Sequence, residues 1–270
     1  AEEHPSLFIL DLDRVFAESG RASCFDSRNY YSFRCRLSPV GLESLTGSAR
    51  RILSRLDTPP KKVAVVDCDD TLWGGILDEA GVSGISLGTD GLGMVYLDIQ
   101  RSLKRWSEQG VLLAIASKND EEHLWKAFDE HPDMQIRKDD LVAWRVNWDA
   151  KASNLVAIAE ELELELDSFV FLDNSPFERE QVRQALPQVV VPELPNDITA
   201  WPAMLDSLDE LARFSITDED SMKVVQYQRK SAFVSGLKEA GDKTEFLESI
   251  NMRPGSLPLS DDLLVRAEQL

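Results

Sequence analysis

The sequence predicts an α/β protein built on a doubly wound, Rossmann-like parallel sheet. Three observations carry this prediction. Short apolar runs at Val63–Val66, 111–116 and Phe169–Leu172 show no polar alternation, as strands buried on both faces do. Stretches of helical spacing separate them, and strands alternating with helices imply parallel crossovers. Each run ends in polar residues, at 67–71, 117–119 and 173–175, and open α/β sheets take their ligands at that carboxyl edge.

Taken in order, residues 6–13 (SLFILDLD) read as a strand, and 26–38, rich in Tyr, Phe and Arg, as a solvated loop edge. Residues 42–56 have helical spacing, and Pro59 and Pro60 end that helix and form a linker. The glycines of 81–93 around Val82, Ile85 and Leu87 suggest a small β-flap beside the site. An amphipathic helix follows over 96–109, closed by Gly110. The second buried strand, 111–116, leads to a helix over 121–131 that Pro132 stops. Residues 141–147 are expected as a third strand or a loop, 151–163 and 178–186 as helices, and 189–191 as a short strand. From Ala203 the chain reads as mostly helical.

The chemistry concentrates in 61–75, KKVAVVDCDDTLWGG, where Asp67, Cys68, Asp69, Asp70 and Thr71 follow a buried strand. Acids this close raise one another's pKa unless a cation is present, and hard oxygen ligands favour Mg²⁺. Strand-end acids can also simply cap a loop. The glycine turn at Gly74 and Gly75 and the Thr71 hydroxyl favour a site. A rival Asp-x-Asp at Asp11 and Asp13 is rejected, because a helix-like stretch follows it and Arg14 neutralises the pair. Ser117, Lys118 and Asn119 end the second strand, Asp173, Asn174 and Ser175 end another, and Lys151 opens a helix between them. Together these loops supply a nucleophile, hydroxyl and amide donors, a fixed cation and metal ligands, the inventory of phosphoryl transfer. Taken singly, Ser117 could be a helix N-cap, Lys151 a solvated helix residue and Asp173 a turn residue.

The net charge of −19 over 270 residues argues against nucleic acid as a partner, since phosphate contacts need clustered bases. No apolar run is long enough to span a membrane, and no signal peptide opens the chain. Cys24, Cys35 and Cys68 match no zinc spacing, so a reduced, cytoplasmic setting is expected. The missing initial Met and abrupt last residue suggest a piece of a longer protein.

The run Asp67-Cys68-Asp69-Asp70-Thr71 resembles the first motif of the haloacid dehalogenase (HAD) superfamily, Asp-x-Asp-x-Thr. The longer string DCDDTLWGGILDEAGVSGISLG resembles the FkbH-like proteins, which load a glyceryl or related three-carbon unit onto acyl carrier proteins in polyketide pathways. That resemblance implies a HAD-like core over 61–202 without a large cap domain. It implies an N-terminal segment, 1–60, ending an upstream domain, and a mostly helical C-terminal segment, 203–270. It implies Asp67 as nucleophile, Asp69 as general acid and base, and Thr71 as the group orienting Asp69. Ser117 would bind the phosphoryl group, with Lys118 and Asn119 beside it, and Lys151 would neutralise charge. Mg²⁺ would be held by Asp67, Asp69, Asp173 and Asn174. Asp173-Asn174-Ser175-Pro176 stands where many relatives have Asp-Asp-Asn-Pro, one negative charge fewer. The implied substrate is a small phosphorylated three-carbon compound, D-1,3-bisphosphoglycerate, and the implied partner the phosphopantetheine thiol of an acyl carrier protein. Cys68 has two readings: an acyl acceptor between two catalytic aspartates, or a buried packing residue turned away by strand alternation.

Overall fold

A computed structural model describes residues 9–57, 59–211, 224–230 and 233, the side chains of 54–57 excepted. The chain forms two compact units, Ala1–Gln228 and Arg229–Leu270; in the second, residues 229, 230 and 233 are described and are helical.

The first unit opens with three helices, α1 (Leu12–Glu18), α2 (Ser27–Phe33) and α3 (Pro39–Asp57). The strand expected at 6–13 is not borne out at its end: residues 1–8 lie outside the described residues, and Leu12 already begins α1. Asp11 is the reason, because its carboxylate accepts the Arg14 backbone N–H at 3.1 Å and caps the helix. The expected loop at 26–38 contains α2, capped in the same way by Asp26. Val15, Phe16 and Cys24 form a small core of their own beneath these helices.

The sheet has four parallel strands, β1 (Val63–Val66), β2 (Leu112–Ser117), β3 (Leu141–Val146) and β4 (Phe169–Leu172), in the order β3-β2-β1-β4. The chain steps outward from β1 to β3, then returns to pair β4 on the other side of β1. The switch point therefore lies between β1 and β4, where a crevice opens at the carboxyl ends. All residues of β1, β2 and β4 are buried. Ala64, Val66, Leu113, Ile115, Val170 and Leu172 face one layer, containing α4 (Leu77–Ala80), α5 (Gly93–Glu108), α6 (Glu121–Glu130) and α9 (Trp201–Asp206). Val63, Val65, Leu112, Ala114, Phe169 and Phe171 face the other, containing α7 (Lys151–Leu162) and α8 (Pro176–Ala185). Each of the Val, Leu, Ile and Phe side chains among them contributes about 1.5–3 kcal/mol on burial, which fixes the register and with it the strand ends.

The β-flap expected over 81–93 is reduced to one antiparallel bridge, Gly74 with Ser86. The strand expected at 189–191 is likewise one parallel bridge, Val170 with Val190. Beyond α9, residues 212–223 fall outside the described residues, and 224–230 are helical. No helix among the described residues is long and apolar enough to cross a membrane.

Candidate active site

Strand order decides what meets. β2, β1 and β4 are neighbours, so Ser117, Asp67 and Asp173 come together, while the helix after β3 brings Lys151 up to them. The residues line a cleft of about 480 Å³, with Asp69, Asp70, Lys118, Asn119 and Asn174 also on its walls.

Lys151 is 3% exposed, so the solvated reading fails for it. Its ammonium lies 2.5 Å from Asp67 Oδ1, 2.6 Å from the Ala116 carbonyl oxygen and 3.1 Å from Asp173 Oδ2. Burial works against that charge, but Asp67 and Asp173 outweigh it and hold the Lys151 pKa above its ordinary value. The Ser117 hydroxyl donates to the same Asp67 Oδ1 at 3.0 Å. Ser117 is no helix cap; Asp120 caps α6.

Asp69 faces a different set of donors. The indole of Trp73 donates to its Oδ1 at 2.9 Å, the Leu77 N–H to the same oxygen at 3.1 Å, and Asn119 Nδ2 to Oδ2 at 3.2 Å. Burial raises the Asp69 pKa, and those three donors pull against it. A carboxyl group poised upward in this way suits proton transfer. Asn119 also donates to Ser117 Oγ at 3.0 Å, so one amide joins the surroundings of both aspartates.

Thr71 differs from expectation. Its hydroxyl does not reach Asp69; it accepts the Asn174 backbone N–H at 3.1 Å and ties the turn after β1 to the turn after β4. Thr71 is 1% exposed, buried beneath that turn. Lys118 lines the cleft, with its charge already met by Glu178 Oε1 at 2.6 Å.

Cys68 is fully buried, and it packs in the same cluster as Ala64, Val66 and Leu72. β1 sends 64 and 66 to that face, and Cys68 continues the alternation while Asp67 turns to the cleft. Burial, and then the Asp67 charge, push the thiol pKa well above its ordinary value, so it stays neutral. Of the two readings of Cys68, the geometry supports packing and opposes the acyl acceptor.

The donor set fits a hard divalent cation. Asp173 Oδ2 is buried and makes no hydrogen bond, its contact with Lys151 being an ion pair of poor hydrogen-bond geometry. Asp67 Oδ2 likewise takes no hydrogen bond among the described residues. Burial, then the Asp67 charge, raise the Asp173 pKa to about 6, against the pull of Lys151. Among the described residues no three His, Cys, Asp or Glu side chains form a closed metal cage. Mg²⁺ needs none, since it is commonly held by one or two carboxylates with water and substrate phosphate. Asp69 Oδ1 takes two donors and Oδ2 only one, which leaves Oδ2 able to carry a proton. The Asn174 backbone carbonyl accepts from Arg179 Nη1 at 2.9 Å.

Sequence reasoning missed Trp73, Glu178 and the rim residues Ile76 and Trp148, the last 72% exposed. An indole N–H four residues beyond a strand-end acid is a usable signal for Trp73. Nothing in the sequence pairs Lys118 with Glu178, sixty residues away.

An acid-rich cleft at the switch point of a parallel sheet, with a buried lysine between two aspartates, defines a site suited to phosphoryl transfer. Among solved structures, the chain is similar to the N-terminal part of the protein BF1531 from Bacteroides fragilis, which contains a phosphatase domain and was solved in complex with Mg. The identity is 33% and the TM-score 0.71, over 79% of this chain and 57% of that one. This chain thus spans a little over half the length of that neighbour. No protein-family model and no curated protein matches the chain.

Proposed function

We propose that this chain is a magnesium-dependent phosphatase-type enzyme of the HAD superfamily, with FkbH-like acyl loading as its role. One observation carries the reading: Asp67 stands at the switch point with Oδ1 held by Lys151 and Ser117 and Oδ2 taking no hydrogen bond among the described residues. Oδ2 attacks phosphorus, an aspartyl-phosphate forms, and the P–O bond to the leaving group breaks. Asp69 gives its proton to the departing oxygen, then takes one from the water that hydrolyses the intermediate. Lys151 and Ser117 orient the nucleophile. Asp67 and Asp173 would hold Mg²⁺, with the Asp69 carbonyl; when bound, the ion offsets charge on the phosphoryl oxygens. The phosphatase domain and Mg of the Bacteroides neighbour support this reading.

The finer proposal is that the substrate is D-1,3-bisphosphoglycerate and the acceptor a carrier-protein phosphopantetheine thiol. The string at 67–88 supports it. Because Cys68 is sealed in the core, the carrier thiol attacks the acyl carbon directly: the thiol gives up its proton, a C–S bond forms, the acyl C–O bond breaks and the C1 phosphate leaves with that proton, while the Asp67 chemistry removes the 3-phosphate to water. Cys68 burial also favours a second reading, a plain phosphatase. Phosphate release by wild type and Asp67→Asn, with intact mass of the carrier, separates these. Without carrier, Asp67→Asn should stay folded and release no phosphate; with carrier, wild type should add glyceryl mass to it. Phosphate release without carrier charging leaves the plain phosphatase, and wild-type release by the folded variant removes the nucleophile assignment.

A further inference from the structure

A second pocket, of about 250 Å³, adjoins the cleft and shares Asp70 and Asn174 with it. Leu194, Pro195, Ile198 and Trp201 give it one apolar side, and Asp70, Asn174, Arg179 and Asn196 make the rest of its wall polar. The Trp201 indole donates to the Pro195 carbonyl at 2.8 Å and holds one wall in place. Tyr96 is fixed opposite. A Cβ on Gly74 would lie 2.7 Å from the Tyr96 ring, so the glycine leaves the space that the ring occupies.

Three polar groups in this wall lack partners. Arg179 is 5% exposed, and its Nε is buried without a hydrogen bond. Neither the Tyr96 hydroxyl nor the Asn196 side-chain amide makes a hydrogen bond among the described residues. Burial, and then the Asp70 charge, keep the Tyr96 hydroxyl protonated and thus a donor. Buried polar groups are normally satisfied, so Arg179 Nε and the Tyr96 hydroxyl, on two buried side chains and unpartnered among the described residues, mark a place for an acceptor, with the exposed Asn196 amide in the same wall.

Charge selects the kind of acceptor. Arg179 Nη1 is spent on the Asp173 and Asn174 carbonyls, at 2.7 and 2.9 Å, and Nη2 faces Glu193 at 3.9 Å. Asp70 adds a negative charge to the same wall. The guanidinium is thereby balanced, and an anion entering beside Asp70 gains little from it.

We propose that this pocket binds a neutral carbonyl-bearing organic group, of amide type with a short apolar body, through Arg179, Tyr96 and Asn196. That this group belongs to the same molecule as a phosphate in the cleft rests on the phosphatase reading. Binding in the pocket does not, and it is measured without phosphate or turnover.

The probes are butyramide, butyrate and butylammonium, titrated into the full chain and followed by NMR of the Trp201 indole and Asn196 side-chain amide. Butyramide should shift both signals and bind at least about fivefold more tightly than either charged analogue, the worth of one net hydrogen bond. Tyr96→Phe and Asn196→Ala should each weaken butyramide about fivefold. Asn196 is exposed, so its variant remains testable should the Tyr96 variant fail to fold. Equal or tighter binding of butyrate or butylammonium, shifts confined to other residues, or unchanged binding by the folded variants would overturn the assignment. Phosphate release by wild type and Asp67→Asn is a separate readout, so the pocket and the phosphatase reading can fail independently.

Discussion

Lys151 and Asp67 form a buried ion pair at 2.5 Å, eighty-four residues apart in sequence, and the same ammonium lies 3.1 Å from Asp173. A lysine between two aspartates does locally what a bound cation does: it offsets charge that burial makes costly. Removing it leaves two buried carboxylates, a loss on the order of 3–5 kcal/mol when one partner of a buried pair is deleted. Lys151→Met keeps the volume and should unfold at lower denaturant in EDTA by that amount. Added Mg²⁺ should stabilise this variant more than wild type, because the carboxylates then have only the ion. Equal stability of the two proteins in EDTA would contradict the pair's role.

Thr71 links the turns after β1 and β4 through its hydrogen bond from the Asn174 N–H. Thr71→Val preserves shape but leaves that half-buried N–H without its acceptor, costing about 1 kcal/mol. Thr71→Ser should restore most of the loss. Denaturant midpoints of the three proteins test this. If valine is tolerated without loss, the two turns are held together by something else.

His123 Nδ1 lies 2.9 Å from Asp78 Oδ1 and joins α6 to α4, whose Asp78 lines the cleft. The bond to Asp78, aided by Asp120 and Glu122, raises the His123 pKa above 6.5. A raised histidine pKa contributes stability that is full below the unfolded value and lost as pH climbs through the folded one. The α4–α6 link therefore weakens as pH rises through the folded His123 value. An NMR titration should place the His123 pKa above that of a free imidazole, and Asp78→Asn should lower it. An unchanged titration in that variant would show that Asp78 is not the cause.

Cys68 packs against core residues and does not itself line the cleft, though Ser117, which does, reaches its sulfur. Cys68→Ala should lower stability by about 1 kcal/mol, as small core truncations do. Phosphate release, and carrier charging if it occurs, should continue at close to wild-type rates. Loss of charging with phosphate release intact would return the thiol to the reaction.

What the sequence by itself determined is largely what lies near in the chain. Val63–Val66 and Phe169–Leu172 are apolar throughout, and burial on both faces of a parallel strand is the arrangement that accommodates this. Polar residues at those strand ends then mark the edge where Asp67, Ser117 and Asp173 stand. Alternation along β1 also contained the answer for Cys68, since 64, 66 and 68 share a face. Tertiary structure decided the partners. Thr71 serves Asn174 rather than Asp69, because the β1–β4 neighbourhood brings the two turns within 3.1 Å. Lys151 is buried because α7 follows β3 and presents its first residue to the ends of β2 and β1, a relation fixed by strand order. The end of the strand expected at 6–13 gives way to a helix from Leu12, which the Asp11 carboxylate caps. Side-chain pairing across tens of residues depends on which strands adjoin, and strand adjacency is settled by packing both sheet faces at once.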